Sequence, residues 1–130
     1  MPVQASIRAW GCLLYASNAG KTIDLLPPLS GYDAPLRRSL GYSNYRVIAQ
    51  REIAVVSPTQ NRLVSAGDIH VVLTNLSLES DGKYLVGLAF TEGTKPVLET
   101  EAKVSQGSPL FIRGPEWREG QIIIVVMILS

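Results

Sequence analysis

The chain has 130 residues, of which 46% are hydrophobic and 18% charged. That suits one domain folding on its own hydrophobic core and excludes a disordered chain. Twelve Lys and Arg against eleven Asp and Glu leave a net charge of +1, so no field steers the chain toward nucleic acid or an anionic membrane. The one cysteine, Cys12, excludes an intramolecular disulfide and a multi-cysteine zinc site.

The opening "MPVQASIRAW" has neither a basic stretch nor a continuous apolar run, so no secretory leader is legible. It alternates instead: Val3, Ala5, Ile7 and Ala9 share one face while Gln4, Ser6 and Arg8 share the other, which predicts a half-buried strand reaching about Tyr15. Cys12, inside the apolar "GCLLYA", reads as a small buried residue.

From Ser17 to Ser43 the periodicity is lost among Pro27, Pro28, Pro35 and several glycines. A long loop at about 17–43 is expected to be ordered, since Ile23, Leu25, Leu26, Leu29, Leu36 and Leu40 are too many apolar side chains to leave in water. It is expected to cover a sheet edge or an open end.

Strand character returns at "NYRVIAQREIAVV" and "IHVVLTNLSLES". In the latter, Val72, Thr74, Leu76 and Leu78 are expected to oppose Leu73, Asn75, Ser77 and Glu79. Asp81-Gly82 then predicts a tight hairpin with positive φ at both central residues. "KYLVGLAF" follows, a second turn falls at "EGTK", and "PVLETEAKVS" points Leu98, Thr100, Ala102 and Val104 inward and Glu99, Glu101 and Lys103 outward.

The chain closes on "GQIIIVVMIL", eight successive apolar residues that place this strand at the centre of a sheet covered on both faces. The run is far short of the roughly 20 residues of a helical membrane span. Short strands with turn signals about every ten residues predict an all-β fold, an antiparallel β-sandwich of immunoglobulin-like size over residues 1–130, with a small β-barrel as the alternative.

Candidate chemistry is sparse. "YASNAGKT" ends like a phosphate-binding P-loop, yet Tyr15 stands where the first glycine is needed, and Pro27 and Pro28 forbid the helix that must follow. His70 is the only histidine and no Gly-x-Ser-x-Gly elbow exists, so no catalytic residue, metal or cofactor is assigned. Glu99 and Glu101 stand about 7 Å apart on one strand face and read as a solvated pair. "GPEWREG" sets Trp117 beside Arg118 in a loop, where an aromatic next to a guanidinium suits contact with a partner or a sugar. The competing reading folds Trp117 back over the end of the sandwich.

In combination, "LLYASN", "APLRRSLGYSNYRVI", "DGKYLVGLAF", "VLETEAKVSQGSPLFIRGP" and "GQIIIVVMIL" resemble small uncharacterised exported β-rich proteins of environmental bacteria. That resemblance implies a β-rich domain working in the periplasm, at the cell surface or outside the cell, its leader removed. It carries no activity.

Two functions are expected from these readings. The first is a non-enzymatic interaction or assembly module of the bacterial envelope or exterior, self-associating or taking a protein partner through an edge strand. The N-terminal strand, with Gln4, Ser6 and Arg8, is the candidate edge, since it carries one charge and begins at a terminus. The alternative is a carbohydrate or small-ligand module that uses Tyr42, Tyr45, Trp10 or Trp117 as stacking platforms.

Overall fold

The computed structural model describes residues 7–18, 23–24, 38, 41–55 and 61–129. Among them run β1 (Ile7–Ser17), β2 (Ile23–Asp24), β3 (Asn44–Val55), β4 (Asn61–Ala66), β5 (Ile69–Leu78), β6 (Tyr84–Glu92), β7 (Lys95–Val104), β8 (Leu110–Trp117) and β9 (Gly120–Ile128). They form two sheets, ordered β2-β3-β1-β9-β8 and β4-β5-β6-β7. Every pairing is antiparallel except the short one of β2 with β3. This is the expected antiparallel β-sandwich, not a barrel, because no described ladder joins β3 to β4 or β7 to β8. Its likeness to an immunoglobulin domain is one of size and layers. Strands adjacent in sequence mostly lie side by side, and the pairing of β1 with β9 joins the two ends of the chain.

The inner core takes alternate residues from both sheets: Ala9 and Leu13 from β1, Ile122, Ile124, Val126 and Ile128 from β9, and Leu63, Val71, Leu73, Val86, Leu88 and Phe90 from the facing sheet. The first sheet is buried on its other face as well, where Trp10, Cys12, Leu14, Ala16, Tyr45, Ile123, Val125 and Met127 form a second apolar layer. Two covered faces explain why β1 and β9 are continuous apolar runs rather than alternating ones. They also explain why both occupy inner positions in the sheet.

Burial in that second layer pushes the Cys12 thiol up to about 12 from its ordinary 9.0. The unfolded chain releases this proton near 9.0 while the folded chain holds it to about 12, so over that window the unfolded state binds fewer protons. Stability is therefore expected to fall as pH rises above 9, by up to about 1.4 kcal/mol per pH unit. Cys12→Ala should flatten that part of the profile, measured as urea midpoints for both proteins across the alkaline range.

Bulges shift the faces where strict alternation would mislead. In β3 the register jumps between Leu13↔Ala49 and Leu14↔Val47, so Val47 packs in the outer layer while Ile48 and Ala49 turn to the inner core. In β5 the jump between Leu73 and Asn75 sets Leu73 and Leu76 together in the inner core. The expected opposition of Leu73 to Leu76 fails there, because Thr74 is the inserted residue. On β7 alternation holds: Leu98 and Val104 meet the core while Glu99, Glu101 and Lys103 are exposed.

The turn at Asp81-Gly82 is longer than expected. Gly82 alone has positive φ, at 84°. The Gly82 amide donates to Glu79 O at 3.0 Å, and the Glu79 amide to Lys83 O at 2.8 Å. Asp81 accepts from the Lys83 amide at 3.0 Å and from Lys103 Nζ at 3.2 Å, and these bonds hold its carboxyl below the usual range. A type I turn followed by a left-handed glycine does the work assigned to the two-residue turn. Most of the 17–43 connection lies outside the described residues. Its described strand, β2, pairs with β3 at Tyr45 and Arg46, on the sheet edge.

Candidate functional site at the β8–β9 turn and the β7 edge

The segment "GPEWREG" builds a pinned hairpin end. Gly114 and Pro115 form a bulge, the register jumping from Arg113↔Ile123 to Glu116↔Gln121. Gln121 holds that bulge: its Nε2 donates to Gly114 O at 2.9 Å, and its Oε1 accepts from Arg113 Nη1 and from Tyr42 Oη, both at 3.2 Å. Gly120 lies so close to β1 that an added Cβ would stand 1.9 Å from Ala16 O. The turn therefore sits directly on the end of β1.

Trp117 and Gly120 close this turn, with Arg118 and Glu119 between them. Arg118 has φ 54°, a left-handed conformation that costs a non-glycine residue on the order of 1 kcal/mol. Its guanidinium carbon lies 4.2 Å from the centroid of the Trp117 ring, a cation–π contact that offsets part of that cost. Trp117 in turn meets Tyr15 edge-on, with centroids 5.2 Å apart and planes at 89°. Trp117 is half-buried against the core and Arg118 is exposed. Trp117 thus folds back onto the sandwich, and its ring carries the Arg118 cation.

The other aromatic candidates do not join it at the surface. Tyr45 is fully buried, because β3 begins at Asn44 and alternation turns Tyr45 into the covered outer layer of the first sheet. Its hydroxyl accepts from the Tyr42 amide at 3.3 Å. Trp10 is buried too and donates to Gln50 Oε1 at 3.2 Å. Tyr42 is half-buried, its hydroxyl bound to Gln121. The structure therefore ties Tyr42 through Gln121 to the bulge of the hairpin that carries Trp117 and Arg118, and removes Tyr45 to the interior. The sequence assigns Tyr15 and Gln121 no role at this end. The visible signal was a polar residue at the threshold of the apolar run, opposite a Gly-Pro pair.

The N-terminal strand is not an edge where it is described. Arg8 pairs with Ala54 of β3 on one side, and on the other its carbonyl accepts from the Leu129 amide at 2.8 Å. Its side chain forms an exposed ion pair with Glu52, a type of contact worth little. The reason is the same apolar outer layer, which needs neighbours on both sides of β1. Gln4 and Ser6 lie outside the described residues.

The described edges are β2 and β8 in one sheet, β4 and β7 in the other. β8 is broken by the Gly114-Pro115 bulge, and β4 is six residues long and itself shifted in register. β7 is ten residues long, regular from Leu98 to Val104, and exposed at alternate positions. Beside it lies an open depression of about 410 Å³ lined by Thr74, Leu88, Glu99, Thr100 and Glu101. Gly87 and Ala89 face Glu101 and Glu99 across the ladder, and the Thr74 side chain closes over Gly87, where an added Cβ would stand 2.7 Å from Thr74 Oγ1.

His70 and Ser65 face each other across β4 and β5, with Nδ1 and Oγ 2.8 Å apart. Among the described residues no group of three His, Cys, Asp or Glu could hold a metal ion, and no helix is long and apolar enough to cross a membrane. No protein-family model matches the chain, and no curated protein or solved structure matches it.

Proposed function

We propose that this domain is a non-enzymatic assembly module that takes a protein partner, in the first place a second copy of itself, along β7. The observation that carries the reading is the outer side of β7, a ten-residue strand at the end of its sheet, with which no described strand pairs. Its outer row of main-chain N–H and C=O groups can extend a ladder, the β-augmentation mode of recognition. Lys95, Glu99, Glu101 and Lys103 punctuate the strand with both signs of charge, which discourages indiscriminate pairing while admitting a complementary partner. The resemblance to exported β-rich proteins supports placing this work at the bacterial envelope or outside the cell. The sugar-platform alternative has less behind it, since Tyr45 and Trp10 are buried and Arg118 covers the Trp117 ring.

Proline replacement at two adjacent positions separates docking from folding. Successive residues of a strand turn their N–H groups to opposite sides, so one of Glu99→Pro and Thr100→Pro breaks the ladder to β6 and the other removes an outward donor. The first is expected to cost on the order of 3 kcal/mol of stability. The second should keep the fold, with β-rich circular dichroism intact, and lower the solution mass. A wild type that is monomeric at high concentration and finds no protein partner defeats the proposal.

A further inference from the structure

Two surfaces carry complementary charge. The β8–β9 turn reads Glu116, Trp117, Arg118, Glu119, one cation between two carboxylates, and all three charged residues are exposed. Arg118 makes no salt bridge with a described residue, and the ring contact with Trp117 uses none of its five N–H donors as a hydrogen bond. β7 carries the opposite order: Lys95, then Glu99 and Glu101, then Lys103, all exposed. Lys103 also bonds Asp81 at 3.2 Å. Glu99 to Lys103 spans about 13 Å of strand, the scale of a hairpin end. The depression beside Glu99 and Glu101, about 410 Å³, falls within the roughly 300–1,000 Å³ of cavities that accept a ligand-sized group.

We propose that the β8–β9 turn of one copy seats in this depression on the next, Arg118 pairing with Glu99 and Glu101 while Glu119 faces Lys103. The inference rests on β7 as the docking strand and names what seats over its charged face, where the depression reaches across β6 to Thr74 of β5. Guanidinium and carboxylate pair through directional, charge-assisted hydrogen bonds, and Trp117 holds the guanidinium in place before docking, which lowers the ordering cost of the contact. Because the two surfaces differ, the contact either closes reciprocally, each copy's turn in the other's depression, or repeats head-to-tail into rings or filaments.

Charge exchange tests the pairing, read by sedimentation velocity over a concentration series with circular dichroism as the check on folding. Arg118→Glu, and separately the combination of Glu99→Lys with Glu101→Lys, should each weaken self-association at least about tenfold. Arg118→Gln, which keeps the turn and removes only the charge, should fall between them and the wild type. Joining all three reversals in one chain restores opposite signs and should bring association back to within about threefold of the wild type. Wild-type association by Arg118→Glu, or failure of the triple variant to recover, overturns the inference. If either occurs while the outward proline on β7 still dissociates the assembly, the β7 reading stands and only the occupant is wrong. A monomeric wild type removes both.

Discussion

Gly120→Ala is expected to cost about 3 kcal/mol or more and to lower the melting temperature by about 10 °C. The added Cβ would stand 1.9 Å from Ala16 O, 2.9 Å from the Ala16 carbonyl carbon and 2.9 Å from Tyr15 Cε1. Two of those atoms are backbone of β1, a strand paired on both sides, so relief requires moving the hairpin off the sheet. Gly93→Ala is the natural control. Gly93 has φ 63° and open space around its missing Cβ, so its replacement carries only the left-handed penalty of about 1 kcal/mol. Urea unfolding of the two variants checks the ranking, and a Gly120→Ala protein no less stable than Gly93→Ala would show that the β8–β9 turn is not seated on β1 as described.

The second large effect lies between the sheets. A Cβ on Gly11 would meet Leu63 Cγ at 2.4 Å and its two methyl carbons at 2.8 and 3.1 Å. Gly11 is therefore the gap through which fully buried Leu63 reaches the opposite sheet. Gly11→Ala is expected to cost about 2–3 kcal/mol through overpacking, and Leu63→Ala about 2–5 kcal/mol through the cavity it leaves. Made together they should cost less than their sum by at least about 1 kcal/mol, because the new methyl enters the space the leucine vacates. Additive losses would mean that the two residues do not share that space. Melting curves of the four proteins in the cycle decide it.

Much of the sandwich is legible in the chain. Eight successive apolar residues before the C-terminus locate β9 between two neighbours, and "EGTK" turns where its glycine suggests, Gly93 taking φ 63°. The same criterion would have located β1. Residues 9–16, "AWGCLLYA", are also apolar on both faces, but the alternation of "VQASIRA" before them draws attention to a half-exposed strand and so to an edge. The long regular edge among the described strands, β7, looks in sequence like any alternating strand, because the number of neighbours a strand has depends on the order of the whole sheet and not on local pattern. Tyr45 was misplaced for a related reason. The strand expected at "NYRVIAQREIAVV" already contains it, and what local pattern does not show is that the outward face of that strand is covered. The β8–β9 turn was visible as Trp117 and Arg118, but its anchoring by Gln121 and by the missing Cβ of Gly120 follows only from the approach of strands distant in sequence.

Amide hydrogen exchange measured across a concentration series tests the central claim most directly, since docking along β7 would protect its outward main-chain donors, which pair with no described strand. With rising concentration the outward amides of residues 98–104 are expected to slow, while those of β4, at the opposite edge of the same sheet, keep their rates. Assembly that proceeds with the β7 amides exchanging as fast as in the dilute protein would contradict the account.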